Sequence, residues 1–307
     1  MEKPQKKRLV FVILTLVLFA LLGFFVAGMM AFFIDIEPLG NVALIPVKGV
    51  ITVDGAAGFG VAAASSTEIL EQIQKAVDKP SIQAIVFDIN SPGGSAVASK
   101  EIADAIKKTN KTTVAVIREV GASGGYWVAS ATDYAIANEM SITGSIGVIG
   151  SYIEFAGLLE RYNMTYQRLV GGKYKDLGDP FQPLSSESRD ILQLKINKIH
   201  DIFIKEVAKN RNMPEERVRQ LSTGEFYLGM EALELGLIDA VGDKETAKQW
   251  LKQKLNLTEI EFAEYKKRVT LMDLLTGVFS EQSFFIGKGI GSELKDVSTA
   301  RKIEIIT

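Results

Sequence analysis

Ser123 lies in GASGG (121–125), a serine among three glycines where the strand-like run TTVAVIREV gives way to the helix-like run YWVASA. Glycines at such a junction permit a tight turn and close backbone approach, and the residue opening the helix sits over its unpaired N–H groups. Two roles fit: an N-cap, whose side-chain oxygen accepts from a helix N–H, or a nucleophile displayed on a strand-to-helix turn. A second glycine turn, SPGG (91–94), ends the run IQAIVFDIN about one βαβ unit earlier. If the two strands are parallel neighbours, both turns reach the same sheet edge, where open α/β folds bind ligands. One turn can then offer N–H groups to a developing oxyanion while the other presents Ser123 for attack on a carbonyl. Pro and Gly after a strand are also ordinary turn residues.

A serine nucleophile needs a base. The chain has one histidine, His200, inside the helix-like run SSESRDILQLKINKIHDIFIKEVAKN. A Ser-His-Asp arrangement would have to use it, and no loop or turn supports it there; a boundary position on the helix is its ordinary reading. The remaining base is a lysine held neutral by burial. GGKYKD (171–176) offers Lys173 and Lys175, and spacing alone does not choose between them. With no cysteine, disulfides and thiolate metal sites are excluded.

The elements that must position these residues read as alternating strands and helices. NVALIPVKG is a first strand, followed by the Gly/Ala-rich loop GAAGFGVAAASS. Ser65 and Glu68 in capping-box spacing, with Ile69, Ile73 and Val77 behind them, predict a helix. IQAIVFDIN has a left half that is almost wholly apolar, as suits burial on both faces of a parallel sheet. A helix from about Ala96 to Lys108, the strand TTVAVIREV and a helix beginning near Gly125 repeat the pattern, which implies parallel crossovers. Short strands YAIA and SIGVIG, a helix FAGLLERYN and a strand TYQRLV follow, then the long helix capped by Ser185 or Ser186.

A hydrophobic content of 47% in 307 residues suffices for a core, and much of it is local. Leu9 to Ile34 is a run of 26 residues without a charge, about 39 Å long as a helix against a hydrocarbon layer of about 30 Å. A cleaved signal peptide has a shorter apolar core and an Ala-x-Ala-like site, which FVAGMMAFF supplies poorly, so the run reads as an uncleaved anchor. Lys3, Lys6, Lys7 and Arg8 precede it while Asp35 and Glu37 follow, which puts residues 35 to 307 on the extracytoplasmic side of a cell membrane. The formal net charge of −2 gives no sign of a nucleic-acid partner. The expected organisation is a basic segment at 1–8, a membrane-spanning anchor at 9–34, a spacer at 35–40, a catalytic domain at 41–261 and a tail at 262–307. The tail's LMDLLTGVF reads as an amphipathic helix, for packing or for a membrane surface.

Five ordered blocks, DINSPGGS, GASGGYWVAS, DYAIANEMSITGSIGVI, GGKYKD and TGEFYLGMEALELGLID, carry a family resemblance from about Asn41 to Gly242. The chain resembles the signal peptide peptidase A family, membrane-anchored Ser/Lys peptidases related to Clp protease and more distantly to crotonases. The resemblance implies an α/β fold built as a spiral of β-β-α units. It implies Ser123 as nucleophile, Lys175 as general base and Ser145 as the serine that holds the lysine. Gly93 or Gly94, together with the N–H of Gly124, would form the oxyanion hole. It further implies cleavage of signal peptides and similar apolar peptides without a cofactor, by homo-oligomers whose neighbouring subunits complete each site. The single GASGG block matches the short, unduplicated form. A crotonase-like acyl-CoA enzyme, which needs no serine nucleophile, and a non-catalytic membrane scaffold are the competing readings; the anchor and GASGG argue against the first, and the intact dyad positions against the second.

Overall fold

The computed structural model describes residues 11–25, 39–56 and 62–265. The chain divides after Leu39 into two units. In the first, residues 11–25 form a helix, α1. Positions 9–10 and 26–34 of the expected anchor lie outside the described residues, and among those described no helix is long and apolar enough to cross a membrane.

The second unit is built on a mostly parallel sheet. Its strands are β1 (Val42–Lys48), β4 (Ala84–Ser91), β5 (Thr112–Ala122), β6 (Tyr134–Ala137), β9 (Ala240–Val241) and β10 (Phe262–Glu264), in the order β10-β1-β4-β5-β6-β9. Every pairing along that path is parallel. Side chains alternate across a strand, and here both sides are apolar: Ala43, Ile45, Ile85, Phe87, Ala115 and Ile117 enter one layer. Val42, Leu44, Ala84, Val86, Val114 and Val116 enter the other. The near-continuous apolar runs seen in the sequence are therefore strands buried on two faces.

On the first face pack α2 (Ser66–Asp78), α3 (Ala96–Lys108), α4 (Gly124–Ser130) and the end of α6 (Ser186–Asn210). On the second packs α9 (Lys244–Leu255), through Ala247 and Leu251. Ser65 caps α2 by accepting from the Glu68 N–H, and Ser185 caps α6 by accepting from that of Ser188. Trp127 of α4 stacks on Phe203 of α6 with ring centroids 4.3 Å apart. The phenol of Tyr126, fully buried, donates to Leu237 O at 2.8 Å. Burial pushes its pKa upward, so it stays a neutral donor. Arg211, just after α6, grips Asp239 through two bonds of 2.8 Å, and Asp239 accepts from the Ala135 N–H of β6.

Short strands flank the main sheet. β2 (Val50–Thr52) pairs in parallel with β3 (Ala63–Ser65), and Ile51 of β2 bridges Gly94. β5 is long enough for two partners in succession: Val114–Ile117 pair with β6, and Val120–Ala122 with β7 (Ile142–Gly144). β7 also pairs antiparallel with β8 (Phe226–Leu228).

Two expected strands are absent. SIGVIG (145–150) forms no strand, because Gly144 and Ser145 take positive φ of 72° and 49° and end the ladder. TYQRLV (165–170) pairs with no strand among the described residues; its Tyr166 and Arg168 side chains are tied into a local cluster instead. Tyr166 packs on Phe181, which stacks on Phe155 of the segment entering α5 (Ala156–Arg161). Phe262–Glu264, read from sequence as the start of the tail, form β10 against β1. The rest of the tail, including LMDLLTGVF, lies outside the described residues.

Replacing Tyr126 by Phe strands the Leu237 carbonyl in the core, at a cost of about 1–2 kcal/mol. The expected thermal-melt shift is a fall of roughly 2–6 °C.

Candidate active site

The candidate site forms where β4, β5 and β7 end together. Ala122 and Gly144 are in register, so Ser123 and Ser145 leave neighbouring parallel strands at the same level. The Ser123 N–H donates to Gly144 O at 2.8 Å, extending that ladder by one residue. Ser123 adopts φ 52° and ψ −120°, a conformation a residue with a Cβ reaches only under strain. Its side chain makes no cap hydrogen bond, so the N-cap reading does not hold. The hydroxyl is half-buried and has no protein partner among the described residues.

The SPGG turn lies directly against this serine. A Cβ added to Gly93 would stand 2.6 Å from Gly124 N and 2.9 Å from Ser123 Cβ, and one added to Gly124 would stand 2.2 Å from Ser99 Oγ. Both glycines are therefore fixed by space. Gly94 N lies 3.3 Å from that same Cβ position on Gly124, so the backbone N–H groups of 94 and 124 flank the serine together. Neither has an acceptor among the described residues, whereas the Gly93 N–H donates to Ser91 Oγ at 3.1 Å. Of the two candidate glycines, only Gly94 keeps its donor free.

Ser145 is held by the loop before β8: its N–H donates to Glu225 O at 2.9 Å and its Oγ to Gly224 O at 3.2 Å. The two candidate lysines differ sharply. Lys173 Nζ donates to Glu187 Oε1 at 2.7 Å, and that bond first, with Tyr174 beside it, raises its pKa. That ion pair is open to solvent and favours the charged form of Lys173. Lys175 Nζ has neither hydrogen bond nor ion pair among the described residues, and its side chain is exposed. The adjacent Asp176 is committed to the Arg168 guanidinium, with Gln182 adding a bond at 3.0 Å; Arg168 chiefly pulls its pKa down to about 2.

The structure thus brings Ser123, Ser145, Gly93, Gly94 and Gly124 into one place. It leaves Lys175 in the segment between β7 and α6, with no hydrogen bond to either serine. His200 lies half-buried on α6, its Nε2 shut from solvent without a partner, and touches none of this machinery through a hydrogen bond. Sequence reasoning passed over Ser99, whose only signal is its place one turn after the cap Ser95, and the Gly224–Glu225 carbonyls, which no spacing announces.

Comparison with known proteins adds an independent line. The model of peptidase family S49 matches residues 105–258. A protein of Enterococcus faecium, provisionally named signal peptide peptidase SppA, is 33% identical over 234 residues, 75% of this chain and 68% of that one. A provisionally named protease of Methanocaldococcus jannaschii is 32% identical over 231 residues, 75% of this chain and 71% of its own. The chloroplastic serine protease SPPA of Arabidopsis thaliana is 30% identical over 259 residues, 83% of this chain but 36% of its own length.

The strain at Ser123 is measurable. Ser123→Gly releases about 1–3 kcal/mol of backbone strain against roughly 0.5–1 kcal/mol of added chain entropy in the unfolded state. The variant should melt at or above the parent temperature; a clear loss of stability would show that the serine conformation is not strained.

Proposed function

The chain belongs to peptidase family S49 and is a serine-type peptidase, and from that premise we propose that Ser123 is its nucleophile and Lys175 its general base. The observation that carries the reading is the strained, uncapped Ser123 standing beside the free N–H groups of Gly94 and Gly124. In the first step the Ser123 Oγ–H proton passes to Lys175 Nζ as Oγ bonds to the scissile carbonyl carbon. The carbonyl oxygen becomes an oxyanion between the Gly94 and Gly124 N–H groups. Collapse breaks the C–N bond, and the leaving amine takes the proton from the lysine. Water, deprotonated by the same lysine, then attacks the acyl-enzyme and releases the acid with Ser123 restored. Ser145 holds the lysine in line.

The dyad in this reading is completed by a second copy of the chain. Two features support it: Lys175 makes no bond to Ser123 within the chain, and the segment bearing it exposes large apolar side chains. Ile149 is 92% exposed and Leu169 95%, with Ile153 and Leu158 also open to solvent. Apolar surface of that extent is the mark of an interface. The fold is the β-β-α spiral of the Clp and crotonase type, supported by the successive main strand, short strand and helix of β1-β2-β3-α2 and by the Ile51–Gly94 bridge between units. The substrates are apolar peptides such as remnant signal peptides, a reading supported by the E. faecium relative's name. The uncharged run 9–34, basic at its N-terminal flank, supports an anchor that leaves the catalytic domain on the extracytoplasmic side.

Mass-spectrometric mapping of a fluorophosphonate probe on the full chain in detergent tests the nucleophile. Capture at Ser123, lost in Ser123→Ala and in Lys175→Ala, is expected; a folded parent unlabelled at Ser123 would move the scaffold or acyl-CoA reading forward. Mixing the two inactive variants tests where the dyad forms. Random reassembly pairs an intact Ser123 with a neighbour's intact Lys175 in about a quarter of sites, so about a quarter of parent activity should return. No return of activity would place both residues in one chain.

A further inference from the structure

We propose that Ser91 is a positioning residue for the oxyanion site, the side chain that decides which N–H of the SPGG turn faces the reacting carbonyl. The inference rests on the Ser123 peptidase reading and deepens it. Ser91 ends β4 and is fully buried. Its Oγ donates to Gly49 O at 2.7 Å and accepts from the Gly93 N–H at 3.1 Å. One hydroxyl therefore ties the β1–β2 turn to the glycine turn beside the nucleophile.

The consequence follows from peptide geometry. Gly93 O accepts from the Ile51 N–H at 2.9 Å, and the Ser95 N–H donates to Ile51 O at 2.8 Å. The Gly93–Gly94 peptide is planar and trans, so its C=O and N–H point in opposite directions. With the carbonyl fixed on β2, the Gly94 N–H must point away from β2, to the side where Gly124 N and Ser123 lie. Ser91 Oγ removes the alternative by engaging the Gly93 N–H. Gly93, at φ 97°, has the freedom to turn over once that anchor is lost. Ser91 also abuts the nucleophile's helix, since a Cβ on Gly125 would stand 2.7 Å from Ser91 O. The same residue therefore sets both the direction of the Gly94 donor and its spacing from α4.

The test compares Ser91→Ala, Ser91→Thr and the parent as full chains, by steady-state kinetics, thermal melting and affinity for a peptide boronate, whose tetrahedral adduct places an oxygen where the oxyanion forms. Loss of donor alignment predicts a fall in kcat of about ten- to a hundredfold, short of the loss of a whole donor, with KM within about threefold. Boronate affinity should fall in parallel with kcat/KM, and Ser91→Thr, which keeps the hydroxyl, should regain most of kcat even where its melting temperature is lower. A merely structural hydroxyl moves the melting temperature alone. Ser91→Ala with kcat within twofold of the parent, or with KM and stability changed but boronate affinity intact, overturns the inference. Ser91→Cys, close in size and a weak acceptor, gives the same comparison if Ser91→Ala does not fold. A parent that fails to capture the fluorophosphonate at Ser123 removes the peptidase reading itself, and this inference with it.

Discussion

The hydrogen bond from the Ser123 N–H to Gly144 O is the contact on which the rest of the site depends. It prolongs the β5–β7 ladder past the end of both strands, and so holds Ser123 in a backbone conformation it would not keep alone. That ladder exists because β5 outruns β6 and takes a second partner. The strain is sustained by what surrounds it: the buried first turn of α4, the stacked Trp127 and Phe203, and the close approach of Gly93. The Ser123 side chain is displayed at the sheet edge because a large core is packed beneath it.

The parts of the fold that were legible in the sequence are those where local signals agree with the buried environment. Apolar runs such as AIVFDI announce strands covered on both faces, Ser65 caps the helix it precedes, and of Ser185 and Ser186 it is Ser185 that caps α6. GASGG and SPGG were legible as a pair because glycine has few substitutes where two backbones nearly touch. Between Ser145 and Ser185 the expected helix FAGLLERYN is met by α5, but the expected strands are not. TYQRLV has the composition of a strand, but strand formation requires a partner edge, and none is there. The ionic bonds of Arg168 and Lys173 and the packing of Tyr166 on Phe181 shape that segment instead, and they depend on residues whose proximity only the folded chain reveals.

The choice between Lys173 and Lys175 shows the same limit. Lys173 directly follows the glycine pair and Lys175 stands two residues further on, and spacing alone selects neither; only the family resemblance points to Lys175. In the structure they differ through Glu187, on the first turn of α6, which binds Lys173, whereas Lys175 Nζ has no partner among the described residues. In the same way Gly93 and Gly94 are indistinguishable as letters and are told apart by their partners, the Ser91 hydroxyl for the Gly93 N–H and the β2 backbone around Ile51.

The long helix α6 has a consequence for how such a molecule can change. Its buried residues, Phe203, Ile204, Val207 and Ala208, are confined to its last two turns, while Glu187 at its other end holds Lys173 and Tyr174. About 25 Å of exposed helix separates the two tasks. The serine and its donors are thus built into a core that tolerates little alteration, whereas the lysine is carried on a part of the chain that shares almost none of that packing. In the proposed Ser/Lys mechanism the two halves of the chemistry would then be free to drift at different rates, the outer half changing while the buried half stays as it is.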